Sequence, residues 1–236
     1  MTLCCAHRGA SGHAPENTLA ALKLAVDLGA DMAEIDVQQT ADDRLAVFHD
    51  TDLGRTSTGS GPLWRRSMDD LRALDAGSWF APQYAGEPVP ALEDILDFCR
   101  GHLVLNIEMK MHGHEDRSER DIVDLVIGAI HDTNSDDHCL VTSFDHGAAA
   151  LLKERAPGLR TGLILGPGTI PADVFDSSAD VLSVADVHVN EDFLARAQAA
   201  SKAVHVWTVD GPARMRVLID MGVEAIITNR PDRFPR

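Results

Sequence analysis

The chain has 236 residues, of which 44% are hydrophobic and 25% charged, a composition that suits a soluble globular protein with a substantial core and excludes a disordered or fibrous one. Its 37 acidic and 21 basic residues give a formal net charge of -16, and such a surface repels nucleic-acid phosphates and anionic headgroups. No nucleic-acid partner and no stable membrane association are therefore expected. No segment approaches the roughly 20 continuous apolar residues of a membrane helix. The opening MTLCCAHRGASGHAPENT lacks the basic stretch and long apolar run of a signal peptide. Cys4, Cys5, Cys99 and Cys139 form no CxxC and no framework spacing, so four reduced thiols in a cytoplasmic protein are expected.

In chain order, Leu3–His7 reads as a strand, with Cys4 and Cys5 on opposite faces. Asn17–Leu28 follows as a helix, its Leu19, Leu22 and Val26 at helical spacing and Gly29 as the stop. Met32–Val37 is the next strand and Arg44–His49 a short extended piece. Asp50–Ala91 is irregular, rich in Gly, Ser, Arg and Pro, and carries Trp64, Trp79, Phe80 and Tyr84. Then come helix Leu92–Cys99, strand Leu103–Glu108, helix Ser118–His131, strand Cys139–Ser143 and helix His146–Arg155. Strands Arg160–Leu165 and Val181–Val184, helix Glu191–Ala200, strand Ala203–Thr208, helix Pro212–Met221 and strand Ala225–Thr228 complete the pattern.

The strand-then-helix rhythm, with strands apolar enough to be buried on both faces, predicts a parallel sheet covered by helices. Near eight strands it predicts a closed (β/α)8 TIM barrel forming one domain over residues 1–236. Residues 50–91 then form a small insertion over one mouth, and a stretch this long inside a compact domain is usually functional. Two readings of its aromatics stand side by side: they pack onto the barrel top and narrow the entrance against diacyl lipids, or they are only the insertion's own small core.

Barrel active sites form at the C-terminal strand ends. Those ends carry His7-Arg8-Gly9, Glu34-Ile35-Asp36, His49-Asp50 and Glu108-Met109-Lys110, with Trp207 near another. In E-x-D and E-x-K the charged pair is two residues apart and shares one face, while Ile35 and Met109 face away. Any one of these groups is most simply a solvated or structural residue; the set is harder to dismiss. Three converging carboxylates repel one another, and a hard divalent cation relieves this, oxygen ligands favouring Mg²⁺ or Ca²⁺. With Arg8 and Lys110 the mouth suits a phosphate, and two histidines beside it suggest general acid and base for breaking a P–O bond.

The segments HRGASGHAPENT at 7–18, EIDVQQTADDRLAVFHD at 34–50, LDAGSWF at 74–80 and LNIEMK at 105–110 resemble the glycerophosphodiester phosphodiesterases. So do SFDH at 143–146, VWTVD at 206–210 and ITNRPD at 227–232, so the likeness runs along nearly the whole chain. The resemblance implies His7 and His49 as the acid–base pair, Glu34, Asp36 and Glu108 as ligands of one divalent cation, and Arg8 and Lys110 as phosphate contacts. It also implies a barrel with a small insertion after the second strand, and metal-dependent cleavage of a small-molecule glycerophosphodiester to sn-glycerol 3-phosphate and an alcohol. Asn229 departs from the family's usual Asp before R-P-D, a change expected to touch structure more than chemistry.

Among the remaining features, His112 and His114 form an H-x-H that reads as exposed loop more readily than as a ligand pair. Trp207 is expected to line the pocket. Asn17 is expected to cap the helix that follows it. Gly9, Ser11 and Gly12 are expected to form a turn that brings backbone close to a ligand, and Phe175 and Phe193 to lie in the core. The rival readings are a phospholipase C or D type acting on intact lipid, a non-catalytic barrel that binds, and a carbonyl-directed barrel enzyme such as an aldolase. The charge and the lack of a docking segment count against the first, the filled site positions against the second, and the paired histidines with Arg and Lys against the third.

Overall fold

Short runs of alternating and continuous apolar residues become β1 (Leu3–His7), β2 (Met32–Gln39), β3 (Leu45–Val47), β4 (Val104–Met109), β5 (Cys139–Ser143), β6 (Arg160–Leu165), β7 (Val181–Ala185), β8 (Ala203–Trp207) and β9 (Ala225–Thr228). The helices are α1 (Leu19–Asp27), α2 (Met68–Arg72), α3 (Leu92–Cys99), α4 (Glu119–Asp132), α5 (His146–Arg155), α6 (Glu191–Ala199) and α7 (Pro212–Asp220). These come from a computed structural model that describes residues 1–111 and 119–236. His112, His114 and the predicted helix start at Ser118 lie outside the described residues.

Eight strands pair in parallel in the order β1-β9-β8-β7-β6-β5-β4-β2, and β1 pairs β2 to close the ring. The result is the expected (β/α)8 barrel. β3 stays outside the ring and runs antiparallel to β2, Val37 opposite Val47, where it starts the insertion. Alternation sorts the side chains. Cys4 packs outward with Leu22, Ala25 and Leu96 under the helices, whereas Cys5 points into the lumen with Met32, Ala225 and Ile227. A second outer layer joins β6–β9 to α6 and α7, and Phe175 and Phe193 pack there at 5.3 Å. All four cysteines are buried free thiols. Among the described residues no helix is long and apolar enough to cross a membrane.

The insertion builds its own core, and that core is aliphatic: Leu53, Leu63, Met68, Leu71 and Val89 pack against Ala46 and Phe48. α2 inside it is held by a capping box between Ser67 and Asp70. The aromatics lie around this core. Trp79, Phe80 and Tyr84 form an edge-to-face chain, Trp79 is 40% exposed, and the Tyr84 hydroxyl donates to the His13 carbonyl at 3.1 Å. None of them lines the cleft at the mouth. Neither reading of these aromatics describes the insertion: leucine and methionine supply its core, no ring of it lines the cleft, and Tyr84 ties it to the segment after β1.

At the opposite, N-terminal end of the barrel, Glu224 accepts from His205 Nε2 at 2.8 Å and from Arg160 at 2.6 Å. The His205 hydrogen bond comes first among the causes that hold the Glu224 carboxyl down to about 2, from an ordinary 4.5. A carboxyl depressed in the folded state contributes stability above its unfolded pKa, and that contribution is lost as pH falls toward the folded value. E224Q is therefore expected to flatten the acid limb of a urea-denaturation profile between about pH 4.5 and 2, with little change near neutrality beyond a constant offset. An unchanged acid limb would dismiss this pair as a source of acid lability.

Candidate active site

Register assembles the mouth. On adjacent strands His7 stands beside Glu34, and Asp36 stands beside Glu108. Side-chain period then turns Glu34, Asp36, Asn106 and Glu108 to the lumen while Ile35 and Ile107 join the outer core. Carboxylate oxygens of Glu34, Asp36 and Glu108 lie within 4.8 Å of one another, all three buried. Burial, then the neighbouring Asp36 and Glu108, push the Glu34 carboxyl well above its usual range. Burial and Asp36 push Glu108 up to about 7. Asp36 goes the other way, to about 2, because Lys110 and Arg8 outweigh its burial.

The two cations are thus placed against carboxylates as well as toward the cleft. Lys110 Nζ bonds Glu108 and lies 3.0 Å from Asp36. Arg8 donates to Glu16 at 2.8 Å and its Nε lies 3.2 Å from Asp36. Arg8 also takes a left-handed turn, φ 55°, in which its backbone N–H donates to Glu34 Oε2 at 3.0 Å. Glu34 Oε1 has no hydrogen-bond partner among the described residues. A buried acceptor without a donor is costly, and one facing two further carboxylates fits a hard cation's ligand set.

His7 ends β1 and His49 follows β3. His7 Nε2 lies 3.8 Å from Glu34, and its Nδ1 is 2.7 Å from Asn229 Oδ1. His49 Nδ1 is 2.6 Å from Asp50 Oδ1. Both rings line one cleft with Arg8, Glu34, Glu108 and Lys110. Its opposite wall is apolar: Phe144, 48% exposed, meets Trp207 edge to face at 5.8 Å, with Ile164 beside them. Trp207 is in the cleft as expected, its indole N–H donating to the Ser183 carbonyl at 3.1 Å. Every site position read from the sequence comes to this mouth.

Some neighbours differ from expectation. Thr18, not Asn17, caps α1, its Oγ1 accepting from Ala21 N at 3.2 Å. Asn17 instead adopts φ 60°, which Asn tolerates better than most residues, and brackets Asp36: its Nδ2 donates to Oδ2 at 2.8 Å and its Oδ1 accepts from Asp36 N. Gly9 and Gly12 do not bring backbone to the cleft. A Cβ at Gly9 would lie 2.7 Å from Ala21, and one at Gly12 would lie 2.6 Å from the Asn229 carbonyl, so both allow chain segments to pack closely. Asn229 Oδ1 lies 2.7 Å from His7 Nδ1.

One contributor left no signal in the sequence. Arg55, from the insertion, donates to Glu16 through Nη1 at 2.9 Å and Nη2 at 2.8 Å, and to Asp50 through Nε at 2.5 Å. It thereby ties the partners of Arg8 and His49 together, and its hydrogen bond is the first cause holding the Asp50 carboxyl at about 2. R55A is expected to lower kcat/KM by about tenfold, because slight misplacement of a reacting group costs up to ~10²-fold. The melting temperature should move by less than about 3 °C, since exposed ion pairs contribute little to stability. Unchanged kinetics in R55A would detach the insertion from the site.

A closed parallel barrel with this constellation at its C-terminal mouth is an enzyme of the (β/α)8-barrel class. The sequence model of the glycerophosphoryl diester phosphodiesterase family matches residues 7–233. A glycerophosphodiester phosphodiesterase of Caldanaerobacter subterraneus is 32% identical over 98% of this chain and 95% of its own length. The chain belongs to the glycerophosphoryl diester phosphodiesterase family. Among solved structures, an Oleispira antarctica phosphodiesterase in complex with the product sn-glycerol-3-phosphate superposes with a TM-score of 0.88 at 27% identity, covering 99% of this chain and 95% of that one. A glycerophosphodiester phosphodiesterase of Agrobacterium tumefaciens superposes with a TM-score of 0.85 at 29% identity, covering 99% of both chains.

Proposed function

We propose that this protein, acting as a single domain over residues 1–236, hydrolyses glycerophosphodiesters to sn-glycerol 3-phosphate and an alcohol with the help of one divalent cation, Mg²⁺ or Ca²⁺. The observation that carries the reading is the convergence of Glu34, Asp36 and Glu108 within 4.8 Å, with two imidazoles and two cations lining the same cleft. Family membership and the relatives' names point the same way. Glu34, Asp36 and Glu108 would hold the cation, which when bound neutralises charge on a phosphoryl oxygen.

Arg8 and Lys110 stabilise the remaining phosphoryl charge as it grows in the transition state. One of His7 and His49 accepts the proton of the attacking hydroxyl, and the other donates one to the leaving alcohol. The nucleophile is water or the substrate's own glycerol 2-hydroxyl; the tethered group has the entropic advantage, and its attack expels the alcohol and leaves a cyclic phosphate, which water opens to glycerol 3-phosphate in a second step with the two histidines' roles reversed. Trp207 and Phe144 offer the alcohol an apolar wall. The net charge of -16 argues for a freely diffusing diester over an anionic lipid surface, and the four buried free thiols suit a cytoplasmic protein.

The test is glycerol 3-phosphate and choline release from glycerophosphocholine, with Mg²⁺ or Ca²⁺ and with chelator, beside choline release from micellar phosphatidylcholine. Metal-dependent release from the soluble diester alone is expected. No release with either cation, or an equal rate on the intact lipid, would refute the proposal.

A further inference from the structure

The expected role of position 229 was structural, and the hydrogen bonds around it suggest a second one. Asp210 follows β8 and Asn229 follows β9, whose neighbour β1 ends in His7. The Asp210 carboxylate accepts from Thr228 Oγ1 at 3.0 Å, from the Asn229 backbone N–H at 2.8 Å and from Asn229 Nδ2 at 2.8 Å. Asn229 Oδ1, at the other end of the same amide, faces His7 Nδ1 at 2.7 Å and Ser11 Oγ at 3.0 Å.

We propose that Asp210 and Asn229 form a positioning pair that holds His7 in its Nδ1–H tautomer and presents the unprotonated Nε2 to the cleft. Donor and acceptor chemistry fixes the orientation of each group. An ionised carboxylate only accepts, so Asp210 fixes the NH₂ end of the Asn229 amide toward itself. The amide oxygen is then turned toward His7, and it too only accepts. His7 Nδ1 must therefore carry hydrogen, as must Ser11 Oγ. A neutral ring protonated at Nδ1 has its lone pair on Nε2, which points into the cleft beside Glu34.

The arrangement is braced on both sides. The Asn229 carbonyl accepts from Gly12 N at 2.9 Å, so the amide is held on its backbone as well as through its side chain. Asp210 stays ionised despite its burial because Asn229 and Thr228 hydrogen-bond it, which holds its carboxyl below the usual range. The other imidazole is held differently: His49 Nδ1 meets the Asp50 carboxylate directly. His7 has its carboxylate one residue removed, with an amide between. Asp210 and Asn229 touch no substrate in this scheme, so they are positioning residues. Their consequence for turnover rests on the phosphodiesterase reading; their effect on the tautomer does not.

The experiment is long-range ¹H–¹⁵N correlation on metal-free, ¹⁵N-histidine-labelled protein, above the ordinary imidazole titration range, with His7 assigned by difference from H7Q. Wild type is expected to show a pyrrole-type Nδ1 and a pyridine-type Nε2. N229L removes the acceptor, so the ring should shift toward the Nε2–H tautomer. In the metal-supplied enzyme its kcat should fall about 10–10²-fold with KM changed less than about threefold, since proton transfer and not binding is misplaced. N229D alone sets two carboxylates together with no proton between them and should be impaired at least as much. The exchange D210N–N229D restores donor facing acceptor: the amide now at position 210 would donate to the carboxylate now at position 229, which would accept from His7 and Ser11. It is expected to recover the wild-type tautomer and most of the lost kcat.

A pyridine-type Nδ1 in wild type overturns the proposal, as does N229L with wild-type tautomer and kcat. Should N229L fail to fold, the exchange decides alone: folded protein with the opposite tautomer, or with kcat as low as N229D, overturns it. If the spectra follow expectation while no glycerophosphodiester is turned over, the phosphodiesterase reading fails and the positioning pair stands.

Discussion

Replacement of His7 or His49 by alanine is expected to lower kcat by about 10²–10⁴-fold, the usual scale for loss of a positioned proton-transfer group. Both rings line the cleft, and each has its Nδ1 engaged on the far side, by Asn229 or by Asp50. That leaves Nε2 of each as the atom available for proton transfer at the mouth. The double variant should lose far less than the product of the single losses, because one missing proton transfer already blocks a step that needs both. The fold should survive each change. In H7A the Asn229 oxygen keeps Ser11, and in H49A the Asp50 carboxylate keeps Arg55. Steady-state kinetics with thermal melts on the three variants check this. A single variant with kcat near wild type, or fully multiplicative losses, would remove the concerted acid–base pair.

Chelation is expected to abolish turnover, with Mg²⁺ or Ca²⁺ restoring it, and to leave a less stable protein. At a cation concentration of about 100 times Kd the bound ion adds about 2.7 kcal/mol of stability, or about 5–10 °C in melting temperature for a chain of this length. The metal-free protein should carry a pH signature as well. Glu108 is pushed up to about 7 and Glu34 well above its usual range, in both cases chiefly by burial. A carboxyl raised in the folded state binds its proton more tightly there than in the unfolded chain, so stability falls as pH rises from about 4.5 through about 7. Saturating cation should remove most of that slope, since it neutralises the three carboxylates in the folded state only. E34Q deletes one of the charges, so it should melt higher than wild type without metal and gain less when metal is added. Full activity in excess chelator, or a metal-free melting temperature that climbs through that pH interval, would contradict the cation site.

The mouth of the barrel was legible because its chemistry is written at short range. E-x-D in β2 and E-x-K at the end of β4 place two charges on one strand face by the period of the pleat alone, and the lumen received Glu34, Asp36 and Glu108. The same alternation put Cys4 and Cys5 on opposite sides of β1. Parallel topology followed from strands buried on both faces, and ring closure from their number. Local capping was less secure. Asn17 and Thr18 are both good caps, and what separates them is a hydrogen-bond partner for Asn17 at Asp36, 19 residues away.

Sequence by itself determined the barrel, the strand ends that carry charge, and the place of the insertion, because periodicity, turn residues and strand count are local or additive properties of the chain. Tertiary structure decided what each polar group faces. The His7–Asn229 bond joins residues 222 positions apart, and the Arg55–Glu16 contact spans 39. Neither pairing has a spacing rule: the first depends on ring closure bringing β1 against β9, and the second on the insertion folding back against the segment after β1. The same holds for the charges: Asp36 is pulled down to about 2 while Glu108, its neighbour across the strands, is raised to about 7. That difference arises from where Lys110 and Arg8 sit in the packed lumen, and burial exists only once the barrel has closed.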